Sequence, residues 1–536
     1  MLYTPEQEAV LKKYFSNTDQ DTFALINLPE VVKGTLFSRY SRSAKDLRTL
    51  FLEEFYGEAS LQGLFGQDAQ SSTTAVDVNR AEDFYERVLV GYGDDSVAEL
   101  GGAHVAVENI SMLATKSIEE HRLGLSPLER STRYVYFDKK VDGEYAFVKE
   151  PRIMASKYRD LYLEVNNTLF EAYATIVRDI QPLLKKIFPG DENEKAYNAS
   201  IRAKACDLGR WLLPLSAKTS MGVFGNGRAL EYLLTTLLGD PLQEVREMGK
   251  SMDQSLRQVI PAFVKRATNE RGNAYRSYLT GMERGLAPLA VQNMIPTPVA
   301  GAGVTLVEWD ADAVEKLLAA AYYERNSCTF AEAREAVNRM SPREKEWALA
   351  ASVAHRQHRT NKPPRFFEET YFGFDVVADW GVYKDLQRHR ILTRYKQRFT
   401  NELGYVMPEE MALTGFEKRY RDAMDRAVEG YETIKQAFPN EAQYIVTHGA
   451  YNRFYMKLNL RALLHMTELR SSPQGHPTYR LVAQQMATAV AEKLPLLGKH
   501  VFRFVDYNDY DLERLEAFRR LEKKAGAAGV QAFQDE

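Results

Sequence analysis

Apolar residues recur at spacings of three and four through PRIMASKYRDLYLEVNNTLFEAYATIVRDIQPLLKKIF, GFEKRYRDAMDRAVEGYETIKQAF and TYRLVAQQMATAVAEKLPLL, a period that predicts amphipathic helices. Strand candidates are fewer: STRYVYF and GVTLVEW carry the alternation of a half-buried strand. The opening MLYTPEQEAVLKKYF reads as a capped amphipathic helix start. The tail YDLERLEAFRRLEKKAGAAGVQAFQDE reads as a charged amphipathic helix with a flexible end.

One stretch breaks this pattern. GLAPLAVQNMIPTPVAGAG is rich in Pro, Gly and Ala and has neither period, so a boundary is expected there. The sequences on its two sides can be laid over each other. ENISMLATKSIEEHR on the left answers DVVADWGVYKDLQRHR on the right, and further along Asn-x-Arg-Ala-Leu occurs in both halves, at Asn226 and at Asn459. The order is the same twice, which predicts a diverged tandem duplication. The left half is the longer, and its additional residues fit the helical stretch around 151–190. The expected organisation is an N-terminal unit over 1–285, a linker over 286–302, a C-terminal unit over 303–510 and a charged tail over 511–536.

Composition narrows the class. With 45% hydrophobic and 27% charged residues the chain is an ordinary globular sequence, long enough for more than one core. A net charge of −3 argues against broad nucleic-acid binding, which shows as basic excess over a whole domain. No apolar run approaches the roughly 18 residues of a membrane span, and no signal segment opens the chain, so a cytoplasmic protein without a membrane partner is expected. Cys206 and Cys328 stand alone, so neither a disulfide framework nor a metal site is expected.

Against that acidic background, LQRHRILTRYKQRF gathers Arg388, Arg390, Arg394, Lys396, Arg398 and the titratable His389. If the chain leaves the preceding helix extended, Arg388 and Arg390 point the same way and His389 points opposite. Two guanidinium forks so placed suit a phosphate, either an FAD pyrophosphate or a nucleotide monophosphate. His389 could donate to a flavin carbonyl, or it could be a surface histidine. On the helix after Asn459, Arg461 and His465 share a face while Arg470 points nearly opposite, so that one helix can serve two ligands. In the left half, Ser131 and Arg133 fall on one face of the expected strand, as an anion-binding pair or as a solvated face with Arg133 bridging to Glu129.

The same residues resemble the motif of the flavin-dependent thymidylate synthases: Arg-His-Arg, two residues, Ser, one residue, Asn-Glu, one residue, Ser, one residue, Arg-Tyr. Arg388-His389-Arg390 is similar to its beginning, and Glu129, Ser131, Arg133 and Tyr134 are similar to its end. Asn459, Arg461 and Arg470 are similar to the family's second region, which the left half keeps at Asn226 and Arg228 but not at Leu237. The resemblance implies an α+β fold of two repeated helix-rich units, each a small mixed sheet wrapped by helices. It implies reductive methylation of dUMP to dTMP with FAD, NADPH and methylenetetrahydrofolate, and two chains forming a pseudo-tetramer. Arg388 and Ser131 would be catalytic; Arg388, His389, Arg390, Asn459, Arg461 and His465 would bind the cofactor. Ser131, Arg133 and Arg470 would bind the nucleotide. Lys396 and Arg398 replace an expected Glu and Ser, and the family's His-Glu-x-Pro-like turn is missing from GDDSVAE and from NKPPRFFEE. Two other readings stay open: a flavoenzyme for another pyrimidine-bearing substrate, and a noncatalytic nucleotide- or flavin-binding protein.

Overall fold

The computed structural model describes residues 3–41, 43–56, 97–290 and 301–527. Up to the middle of the chain, the elements used below are β1 (Gly102–Ser111), α1 (Met112–Glu119), β2 (Leu125–Glu129), α2 (Arg159–Asp179), α3 (Lys195–Gly209), β3 (Lys218–Asn226), α4 (Gly227–Leu237) and α5 (Glu270–Leu286). Then come β4 (Gly303–Trp309), β5 (Tyr371–Asp379), α6 (Trp380–Leu386), β6 (Thr393–Lys396), α7 (Glu417–Lys435), β7 (Tyr451–Asn459), α8 (Leu460–Arg470) and α9 (Pro477–Lys493). This is an α+β fold of small sheets against helices.

The chain forms two compact units: Met1–Arg130 with Thr219–Met294, and Ser131–Lys218 with Ile295–Glu536. Compaction and the repeat boundary in the sequence therefore fall in different places, because 131–218 lies before the linker yet packs with the C-terminal half. Residues 291–300 of the linker lie outside the described residues.

Unit 1 holds a three-stranded sheet in the order β1-β3-β2. Unit 2 holds a four-stranded sheet in the order β4-β5-β7-β6, with antiparallel pairing throughout. The alternation in YNRFYMKLN sets the orientation of β7: Asn452, Phe454, Met456 and Leu458 are buried, and the intervening Arg453, Tyr455 and Lys457 face outward. On that outer side, Arg453 pairs with Asp375. α9 covers the inner face with Val482, Met486 and Val490, each such side chain contributing about 1.5–3 kcal/mol when withdrawn from water.

Both repeats turn from strand to helix by the same device. Ser111 ends β1 and accepts from the Ala114 amide at 2.9 Å, and Asp379 ends β5 and accepts from the Val382 amide at 3.1 Å. Asn226 and Asn459 cap α4 and α8, each accepting an amide at 2.8 Å. A short polar side chain at each junction satisfies a backbone donor that the first helical turn leaves open.

Two sequence expectations change and one holds. STRYVYF is not a strand: Ser131–Val135 is a turn, closed by the Val135 amide on the Ser131 carbonyl at 3.2 Å, and the strand lies just before it at β2. The first long helical stretch is three helices, Pro151–Met154, α2 and Gln181–Ile187, with Pro182 fitting the start of the third. GVTLVEW is β4, as its alternation implies.

In unit 2, α2 packs along α7, and the helices touch where Gly430 faces Val165. A Cβ at Gly430 would sit 2.7 Å from Val165 Cγ2. Gly430→Leu is therefore expected to lower stability by about 1–3 kcal/mol through overpacking, read as a reduced urea midpoint of the full chain.

Candidate functional site

The site is built entirely in unit 2. α6 is buried along its length, and its last turn delivers the Arg-His-Arg triplet to the surface. Arg388 and Arg390 are exposed and His389 is half-buried, but the exit expected to be extended is a turn, closed by the His389 amide on the Leu386 carbonyl at 3.0 Å. Arg470, at the end of α8, donates Nε–H to His389 Nε2 at 2.9 Å. That bond makes Nε2 an acceptor and leaves the ring proton on Nδ1 as a donor. Burial, then the Arg470 and His465 charges, hold His389 well below its ordinary range, so the ring is neutral at pH 7. The His465 ring lies 5.5 Å away.

The turn Ser131–Val135 belongs to the same cluster. Ser131 Oγ accepts from the Arg133 amide at 3.2 Å, which fixes the turn. Arg133 does not bridge to Glu129, which instead pairs with Lys116 in unit 1. Its fork grips Asp207 of α3, with Nε and Nη2 both at 2.9 Å from the carboxylate. Arg133 Nη1 also donates to the Tyr479 hydroxyl at 3.1 Å. The Arg133 and Arg470 guanidinium carbons lie 5.6 and 5.5 Å from the Tyr479 ring centroid. A continuous path thus runs from Ser131 through Arg133, Tyr479 and Arg470 to His389.

Beneath this path lie charged groups that sequence reasoning missed. Asp207 is 3% exposed and also accepts from Arg514 Nη2 at 2.6 Å. Burial alone would raise its pKa, but Arg133 and Arg514 hold it well below the usual carboxylate range. Arg210, one turn along at 1% exposure, reaches Asp385 of α6 at 3.4 Å, while its Nε and Nη2 have no partner among the described residues. Gly381 makes room for it, since a Cβ there would lie 2.6 Å from Arg210 Nη2. Asp385 would likewise be raised by burial, but Arg210, Arg133, Arg470 and Arg388 keep it ionised. His476 caps α9 by accepting the Thr478 amide at Nδ1 (3.3 Å), and burial, then Arg210, hold it neutral. The sequence signal for Arg210 was weak: a single arginine inside the otherwise apolar LGRWLLPL.

Other expected residues have local partners. Arg461 Nε donates to the Pro363 carbonyl at 2.8 Å and Nη1 meets Glu368 at 2.9 Å, on the far side of α8 from Arg470. Asn459 uses its side-chain oxygen as the α8 cap. Cys206 is buried, and its thiol is pushed up to about 12, mainly by burial, so it is not a thiolate nucleophile.

Chemically, the cluster brings Arg133, Arg210, Arg388, Arg470 and Arg514 around Asp207 and Asp385, with neutral histidines at its edge. The fully buried Asp379 is a third carboxylate of the cluster and interacts with Arg210, while Arg388 is exposed to water. The partnerless nitrogens of Arg210 are donors available to an anion.

Two outcomes are expected. Asp207→Ala leaves two arginines without their carboxylate and should cost about 3–5 kcal/mol in urea unfolding. His389 and His476 are depressed below the ordinary value near 6.5, so below about pH 6.5 the unfolded chain takes up protons that the folded site refuses. Stability is then full above that pH and falls as pH drops. The acid-side slope should shrink in His389→Gln and His476→Gln, measured as urea midpoints from pH 8 to pH 5.

Comparison with known proteins identifies the family. The family profile described as thymidylate synthase complementing protein matches residues 53–262 and again 305–496. A UPF0159 protein of Chlamydia pneumoniae is 42% identical over 530 residues, covering 97% of this chain and 98% of its own length. A UPF0159 protein of Thermoplasma acidophilum is 32% identical over 530 residues, covering 92% and 99%. A flavin-dependent thymidylate synthase of Nitratidesulfovibrio vulgaris is 26% identical over 174 residues, 30% of this chain and 69% of its own. Among solved structures, the UMP/dUMP methylase PolB from Streptomyces cacaoi bound with 5-Br dUMP is 19% identical, with a TM-score of 0.31, covering 39% of this chain and 97% of that one. With two successive matches over most of its length, the chain belongs to the thymidylate synthase complementing protein family, as a tandem two-unit member.

Proposed function

We propose that the arginine cluster of unit 2 binds a pyrimidine nucleotide by its phosphate, and that the chain reductively methylates dUMP to dTMP. The observation that carries this reading is the path from Ser131 and Arg133 to His389 through Tyr479 and Arg470. It joins, within one unit, the two motif segments that the sequence divides between its halves. Family membership supports the reaction class.

Arg210, with two donors left over, and Arg470 take the phosphate; the Ser131 hydroxyl and Arg388 lie at the reacting end. Arg133 acts through Asp207, holding the turn in place. The exposed forks of Arg388 and Arg390, together with the Nδ1 donor of His389, fit a flavin with its pyrophosphate. Bound there, FAD reduced by NADPH would supply the hydride that turns a methylene taken from methylenetetrahydrofolate into a methyl. Asn459, Arg461 and His465 frame the cofactor side of α8. Two chains would associate so that four family-like units assemble.

Lys396 and Arg398 are exposed beyond the triplet and favour a second reading, a flavoenzyme for a more anionic pyrimidine substrate. Among the described residues no helix is long and apolar enough to cross a membrane.

The test has two parts. Purified full-length protein is expected to bind added FAD with a flavin spectrum, and its gene is expected to rescue a thymidine-requiring strain. Arg388→Ala and Arg470→Ala should each abolish rescue while the proteins stay folded. A flavin-loaded, well-expressed chain that does not rescue overturns the dUMP assignment; a chain that takes no flavin overturns both enzyme readings.

A further inference from the structure

The outer face of the unit 1 sheet departs from a rule that unit 2 keeps. A one-sided antiparallel sheet turns apolar residues inward and polar residues to water. β7 obeys it, and its outward Arg453 and Lys457 are paired with Asp375 and Glu308 of the same sheet. Counting back from the matched Asn226 and Asn459, the outward positions of β3 are Ser220, Gly222 and Phe224 where β7 has Arg453, Tyr455 and Lys457. Met221 and Val223, between them, are buried, so the inner face is ordinary. The outer face is not: Phe224 is 43% exposed, Leu128 of β2 is 73% exposed, and Ala106 of β1 is open to water beside them. Exposed apolar residues gathered in this way mark an interaction surface.

The face has a knob, a hollow and two opposite charges. Leu128 pairs with Gly222 across the β2–β3 ladder. Ala106, Glu108, Gly222 and Leu128 border a hollow of about 310 Å³, and a Cβ at Gly222 would meet nothing within 4 Å. Glu108 stands on β1 at one side. At the other side is Arg130, whose amide donates to the Ser220 carbonyl at 2.9 Å. Both are exposed, and among the described residues neither has an ion-pair partner.

This arrangement complements itself. A second copy turned about an axis along β3, with the sheets aligned and about 10 Å apart, puts each β1 over the other copy's β2. Leu128 then fills the space above Ala106 of the other copy, Glu108 faces Arg130 of the other copy, and the two Phe224 rings meet near the axis. Each off-axis contact occurs twice, as a two-fold interface requires.

We propose that the outer face of the unit 1 sheet is an interface with a second copy of the chain. The proposal rests on the two-chain association in the reading above and gives it a surface. Strands about 4.8 Å apart and side-chain rows about 6.8 Å apart make a three-strand contact small, so the dimer exchanges subunits.

The full-length chain is followed by sedimentation velocity over a wide range of concentration. A dimer is expected, with a dissociation constant raised at least tenfold in Glu108→Arg and in Arg130→Glu, since each puts like charges opposite one another. Mixing the two variants in equal amounts should restore the original affinity, because every charge then meets its opposite across the interface; a pair within one chain could not be restored by mixing. In a Cys328→Ser background, Gly222→Cys should be joined into dimers by a short bismaleimide. A dimer whose affinity neither charge variant changes, variants that mixing does not rescue, or a dimer that Gly222→Cys does not crosslink overturns this face and leaves the two-chain association standing. A chain that stays monomeric at every concentration overturns both.

Discussion

The grip of Asp207 on two arginines is the interaction on which the unit 2 site rests. One carboxylate, 3% exposed, takes the fork of Arg133 from one side and Arg514 from the other. Arg133 belongs to the turn after β2, Asp207 to α3 and Arg514 to the segment leading into the last helix, so three distant parts of the chain converge on two oxygen atoms. Buried pairs of this kind add little net stability beyond an apolar replacement, but removing one partner is expensive. Their effect is to fix geometry. With Arg133 held, its remaining donor meets Tyr479, and the Tyr479 ring lies against Arg470, which sets the tautomer of His389.

Arg210 is arranged differently. Asp385 reaches only one of its nitrogens, at 3.4 Å, and two others are buried without a partner among the described residues. A fold that needed Arg210 only for rigidity would satisfy it as fully as Arg133 is satisfied. Its unpartnered nitrogens lie under a glycine of α6 beside the buried Asp379 carboxylate, and they are the donors on which the proposed anion site draws.

Much of the fold was legible because its determinants are local. The repeated order followed from the overlay of the two halves, with Asn226 answering Asn459, and β4 followed from the alternation of GVTLVEW. What was not legible depends on contacts between residues far apart in sequence. Ser131 and Arg133 alternate like strand residues, yet the bidentate pull of Asp207 and the Ser131 Oγ bond favour a turn. The same distance hid Arg210 and Asp385, 175 positions apart, neither of which sits in a recognisable motif. Arg133 carried the reverse error: Glu129 was its nearest carboxylate in sequence, but burial assigns Glu129 to Lys116.

The two halves also indicate how a duplicated scaffold diverges without losing its architecture. His121 stands where His389 stands in the overlay, and Leu237 stands where Arg470 does. In unit 1 the histidine Nε2 meets the Thr236 hydroxyl at 2.7 Å, and Leu237 is buried in the core. Both histidines are depressed, mainly by burial, but the Arg470 charge acts only on His389. Replacing one guanidinium by a leucine thus converts a charged position into packing, at no cost to the asparagine cap eleven residues earlier that starts the helix. Because cap and charge sit at opposite ends of the same element, selection can alter one and keep the other, and this separability lets a family signature survive in pieces on two copies of one fold.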